Sequence, residues 1–174
     1  DKNAANALAR VQAPAADQKA LASVEHGSDT AARIASLKVL ELRNTSGAAA
    51  LLNGIIAGPA DAKLKEAAFK SLESIGNDDS IRILLKMVSA GDAQSKAAQR
   101  SLKRLSMNFG AAEYQWDELY HPVLESAAND AARQAVIQIL DGVACQSVIA
   151  YLKDILLDSD SSMRPAAMSA LQRW

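Results

Sequence analysis

Cysteine occurs once in the 174-residue chain, at Cys145. A single thiol excludes an intramolecular disulfide framework and any zinc site built from several cysteines. Charge of one sign is equally scarce, with 19 Lys and Arg against 20 Asp and Glu, a net charge of −1. That balance carries no signature of nucleic acid, an anionic membrane or a strongly basic partner. There is no run of about eighteen apolar residues, and no basic segment followed by an apolar stretch opens the chain, so neither a membrane span nor a signal segment is expected. The chain begins at Asp1 and ends at Trp174 in mid-pattern, which reads as a soluble piece of a longer protein, its compartment unassigned.

Aromatic residues number seven, and the four prolines (Pro14, Pro59, Pro122, Pro165) lie far apart. Alternating, strand-like runs are missing while alanine is abundant, and the composition therefore predicts an all-α fold. At this length the chain can bury a substantial core without disulfides or metals.

What is present is a repeat. Five segments share a spine: 29–40 (DTAARIASLKVL), 61–72 (DAKLKEAAFKSL), 91–102 (GDAQSKAAQRSL), 129–140 (NDAARQAVIQIL) and 160–171 (DSSMRPAAMSAL). Each holds a pair of small residues or a near-pair, Ala35/Ser36, Ala67/Ala68, Ala97/Ala98, Ala135/Val136 and Ala166/Ala167. The pair's second member stands four residues before a leucine: Leu40, Leu72, Leu102, Leu140 or Leu171. Positions three and four apart share one helical face, so the small pair admits a neighbouring helix and the leucine fills the space beyond it. A basic residue stands two positions before the pair at Arg33, Lys65, Arg133 and Arg164, with Ser95 in the third unit. Asp29, Asp61, Asn129 and Asp160 are placed to cap these helices.

A second amphipathic segment precedes each of these helices, and Gly58-Pro59, Gly76-Asn77, Gly91 and 158–160 supply turn chemistry between them. The unit is a helical hairpin, and leucine spacings of 32, 30, 38 and 31 residues suit stacked two-helix repeats. The expected repeats cover about 15–43, 46–75, 77–106, 111–141 and 145–174, after a leading helix or half-repeat over 1–12, all within one domain.

In these features the chain resembles the HEAT-repeat (armadillo-like) family of α-solenoids over about 15–174, most closely in its last unit, where Asp158, Arg164, the Ala166/Ala167 pair and Leu171 match the family pattern. The resemblance implies a right-handed α-solenoid of about five stacked hairpins. In the family an Asp and an Arg six residues apart form a hydrogen-bond ladder between repeats. Here the equivalent Asp positions in earlier units hold Gly27, Pro59 and Ala127, so only Asp158 with Arg164 keeps both partners. If Ser161 caps the last helix, Pro165 falls in its first turn, where its missing N–H costs nothing. Pro122 falls inside a helix and predicts a kink.

The wide spacing between Leu102 and Leu140 places an insertion over about 107–115, beside four of the seven aromatics: Phe109, Tyr114, Trp116 and Tyr120. Two readings stand side by side. The connection packs over a hairpin end, or Tyr114, Trp116 and Tyr120 form a partner-binding cluster rimmed by Asp117 and Glu118. Lys96, Arg100, Lys103 and Arg104 make a basic stripe on the third unit's second helix. Second helices line the concave face in the resembled family, which makes the stripe a second candidate contact surface, against the alternative of a solvated helix face. From residue 107 onward, however, four basic residues stand against nine acidic ones.

Chemistry-bearing motifs are sparse. The two histidines, His26 and His121, lie in different repeats, and CxxC, HExxH and glycine-rich phosphate loops are absent. The sequence thus predicts no enzyme, no cofactor and no metal site. It predicts a protein-interaction scaffold whose partner is another protein or other domains of the parent chain. A DNA glycosylase-like HEAT module is the alternative, since Trp116 beside Asp117 resembles its mix of aromatic and acidic residues, but the acidic C-terminal half argues against nucleic acid.

Overall fold

The computed structural model describes residues 14–91, 93–110 and 112–174. The leading element expected over 1–12 lies outside the described residues. Among the described residues all regular structure is helical, as the composition predicts. The chain divides into two compact units, Asp1–Ser80 and Ile81–Trp174.

In the first unit, α1 (Pro14–His26) packs on α2 (Thr30–Arg43), and α3 (Ala48–Ala57) packs on α4 (Ala62–Ile75). The second pair meets the first through like elements, α2 against α4 and α1 against α3. Leu37, Leu40, Leu64, Ala68 and Leu72 are buried along this contact, and each leucine so buried contributes about 2 kcal/mol. Asp29 caps α2 by accepting from the Ala31 and Ala32 N–H groups, and Asp61 caps α4 through Lys63 and Leu64. At the far end of α2, Asn44 adopts the left-handed conformation (φ 48°), and Thr45 N–H returns to Leu40 C=O at 3.1 Å. This stop satisfies carbonyls that the helix leaves open. Helix α5 (Asp78–Ala90) crosses the boundary of the units. Asn77 and Ser80 start it by exchanging side chain-to-backbone bonds of 3.0 and 3.2 Å.

In the second unit, α5 presents Ile81, Leu84, Leu85 and Val88 to the core. Helix α6 (Ser95–Phe109) ends at Gly110 (φ 71°), a left-handed stop. A helical path over Ala112–Gln115 (α7), a π segment at Trp116–Tyr120 and His121–Glu125 (α8) follows. The insertion expected over 107–115 is therefore largely helical: α6 extends into it as far as Phe109, and α7 (Ala112–Gln115) ends it. The kink expected from Pro122 takes the form of the π segment directly before it, where His121 N–H donates to Trp116 C=O five residues back. A proline ring crowds the carbonyl four residues upstream, and the wider turn relieves that contact.

Helix α9 (Asp130–Ile137) packs on α8, and a 3-10 turn (Leu140–Gly142) follows it. Helix α10 (Gln146–Leu157) packs on α11 (Arg164–Gln172), while α9 meets α11. Asn129 caps α9 through Ala132 N–H. Asp160 does not cap α11, because that helix begins four residues later, at Arg164, with Pro165 in its first turn. Ser161 Oγ instead accepts from Met163 N–H at 3.2 Å within the preceding turn.

The repeat's basic residue has a specific task. Arg33 Nε donates to Val24 C=O at 2.7 Å, and Arg133 Nε donates to Leu124 C=O at 3.3 Å, each nine residues back. Both carbonyls lie in the last turn of the hairpin's first helix, where intrahelical donors run out. Asp158 and Arg164, expected to take part in an inter-repeat ladder, bond locally: Asp158 Oδ1 accepts from Asp160 N–H and Arg164 donates to Ser159 C=O. Leu40, Leu72, Leu102 and Leu140 are fully buried, whereas Leu171 is partly exposed.

Candidate interaction sites

The aromatic cluster separates into core and surface. Tyr120 is fully buried and Trp116 is 5% exposed, while Tyr114 keeps 44% of its surface accessible. Tyr120 OH lies 2.6 Å from Ser106 Oγ, and Gln115 Nε2 donates to Ser106 C=O at 3.2 Å, which ties the π segment to α6. Burial pushes the Tyr120 phenol well above its ordinary value, with the Ser106 bond opposing it. The Trp116 ring centroid lies 5.0 Å from those of both His121 and Tyr151. Trp116 and Tyr120 are thus committed to packing, and of the three candidate contact aromatics only Tyr114 faces outward.

The basic stripe is also divided. Lys96, Arg100 and Arg104 are exposed at four-residue intervals along α6. Lys103 turns aside to bond Asp141, which Arg173 Nε also reaches at 3.0 Å. The Asp141 side chain is 1% exposed, and its Oδ1 has no hydrogen-bond partner. Lys103 is therefore a structural cation. The carboxylate that holds it is 38 residues away, and no spacing rule in the sequence signals the pair.

A second long-range pair lies in the first unit, where Arg43 holds both oxygens of Asp17 and Thr45 Oγ1 donates to Asp17 Oδ1 at 3.1 Å. The Arg43 hydrogen bond keeps the Asp17 carboxyl below its ordinary range. Glu113 caps α10 by accepting from Gln146 N–H at 3.1 Å. Its carboxyl is lowered chiefly by the Ser147 hydroxyl, then by backbone donors at the helix start. Cys145 stands beside it with its thiol pushed up by burial and by Glu113, so thiolate chemistry is suppressed.

Two grooves occupy equivalent repeat positions. The first-unit groove, about 430 Å³, is lined by Glu25, Arg33, Leu51, Gly54 and Ile55, with 58–60 at its end. The second-unit groove, about 290 Å³, is lined by Glu125 and Arg133, His121 and Tyr151, and the apolar Leu124, Ile155 and Met163, with Ser161. Glu25, Arg33 and Ile55 correspond to Glu125, Arg133 and Ile155 at a constant offset of 100 residues. Where the first groove has Leu51, the second has Tyr151. Sequence reasoning passes over both grooves, although the basic residue before each small pair marks one wall.

No known protein family, curated protein or solved structure matches the chain.

Proposed function

We propose that this protein is a non-catalytic interaction scaffold, a right-handed α-solenoid of about five HEAT-like hairpins whose partner is another protein or a further domain of its parent chain. The observation that carries the reading is the recurrence of one hairpin design: a helix whose last-turn carbonyl is held by the arginine of the next helix, at Arg33 and again at Arg133. Repeats of this kind devote their conserved geometry to stacking and leave their faces to recognition. Met107 and Tyr114, 64% and 44% exposed on either side of the Gly110 corner, offer apolar anchor groups of the sort that dominate interfaces.

The test is crosslinking capture from a source lysate with the wild-type protein and a Met107→Ala/Tyr114→Ala variant. A protein retained by the first and lost by the second supports the scaffold reading at this corner. Identical sets from both, with no protein enriched over a control helical repeat, would sink it.

The nucleic-acid reading rests on one observation, the exposed Lys96, Arg100 and Arg104 aligned on α6. Binding to duplex DNA that weakens steeply with salt and vanishes on Arg100→Glu/Arg104→Glu would favour it. Lack of binding at low salt would remove it.

A further inference from the structure

The second-unit groove combines three features. Both signs of charge line it without neutralising each other: Glu125 pairs with His121 at 3.6 Å, and Arg133 stands 3.9 Å from Asp130. Arg133 is also preset. Its Nε is spent on Leu124 C=O, which orients the guanidinium, and Nη1 stands 3.9 Å from Asp130 Oδ1, beyond hydrogen-bond distance. The aromatic wall is held from behind, because the buried Trp116 packs against both the His121 and Tyr151 rings. The half-buried Tyr151 phenol is raised by burial and feels both charges, Arg133 lowering it and Glu125 raising it.

We infer that this groove binds a small zwitterion, an α-amino acid with an apolar side chain, its carboxylate on Arg133, its ammonium on Glu125 and its side chain against Leu124, Ile155 and Met163. Each wall charge already stands near a partly exposed neighbour, Glu125 near His121 and Arg133 near Asp130, and a zwitterion brings one group to each wall, an ammonium for Glu125 and a carboxylate for Arg133. A planar guanidinium suits a carboxylate in the bidentate manner, and a ligand carboxylate would replace the long Asp130 contact of Nη1. A cavity of about 290 Å³ accommodates a ligand of this size, at the lower end of small-molecule sites. The first-unit groove supplies an internal comparison. It keeps the Glu25 and Arg33 charges but has Leu51 and Gly54 on its α3 wall, with no imidazole or phenol to close around a ligand.

The experiment is an amide-resolved NMR titration of the whole chain with L-leucine, L-phenylalanine, N-acetyl-L-leucine and L-leucinamide, repeated on Glu125→Gln. The expected result is saturable shifts for leucine and phenylalanine at amides of α8, α9 and α10, with the first-unit groove silent. Each blocked leucine should bind about tenfold or more weakly, the weight of one charge-assisted hydrogen bond. Glu125→Gln should abolish the preference for leucine over its N-acetyl form and keep the preference over the amide. No saturable shift with either amino acid would overturn the inference. Equal binding of leucine and N-acetyl-leucine would overturn it too, and that comparison on the wild type decides even if the variant folds poorly.

Discussion

Arg33 Nε donates to the carbonyl of Val24 across 2.7 Å, joining the start of one helix to the end of the one before it. The bond supplies a donor to a last-turn carbonyl and sets the angle at which the hairpin closes.

Replacing Arg33 with Met keeps the aliphatic stem and removes that donor. The expected loss is about 1.5–3 kcal/mol, as for a hydrogen bond involving a charged group. Arg133→Met should cost less, because its bond is 3.3 Å long. Urea unfolding checks both. If neither midpoint moves, water serves those carbonyls equally well and the arginines have no closing role.

Trp116→Ala should destabilise the second unit by about 3–5 kcal/mol, the range for emptying a buried aromatic site. Tyr114→Ala should cost clearly less than Trp116→Ala, about 1 kcal/mol, since Tyr114 keeps 44% of its surface accessible and Trp116 only 5%. Paired thermal melts of the two variants test this division. Similar losses from both would mean that Tyr114 also belongs to the core.

Asp141→Ala leaves Lys103 and Arg173 without their shared carboxylate and should cost about 1.5–3 kcal/mol, the range for hydrogen bonds involving charged groups, since both cations reach solvent. Gly142→Ala acts on the same contact by a different route. A Cβ at Gly142 would lie 3.0 Å from Lys103 C=O and 3.2 Å from its Cα, and overpacking of this sort costs about 1–3 kcal/mol. Denaturant titration measures each, and a neutral Gly142→Ala would show that α6 and the 3-10 turn can move apart.

The lowered Glu113 and Asp17 carboxyls predict a loss of stability on the acid side. Both have folded-state values below their ordinary 4.5 and 3.8. Each therefore stabilises the fold above its unfolded value, and the contribution is lost as pH falls below that range through the folded value. Melting temperature should decline on the acid side of about pH 4.5, and Glu113→Gln with Asp17→Asn should flatten that decline while lowering the plateau. An unchanged acid slope in the double variant would place the sensitivity elsewhere.

The helices, the caps at Asp29, Asp61 and Asn129, and the buried leucine spine were legible because they follow from local periodicity and short-range hydrogen bonding. A departure from regular α-helix before Pro122 was legible from the restriction a proline places on the residue preceding it. Its π form was not, since widening the turn depends on what Gln115, Trp116 and Tyr120 pack against. The aromatic stretch presented one composition with two uses, and only burial separates Trp116 and Tyr120 from Tyr114. Asp141 with Lys103, and Asp17 with Arg43, join residues 38 and 26 apart, a separation at which sequence spacing carries no geometric information. The grooves were invisible for the same reason, their walls coming from three helices.

The π segment acts as a gear. Each residue of an α-helix turns the chain by about 100°, so one added residue re-aims everything that follows it. With the wider turn, the path from Ala112 to Glu125 keeps Trp116 and Leu124 in the core while His121 and Glu125 reach the groove. A single deletion between 116 and 120 would swing both groove residues away together. The same deletion within 158–161 would fall in a turn that can absorb it, so length variation should be tolerated at one end of this groove and forbidden at the other.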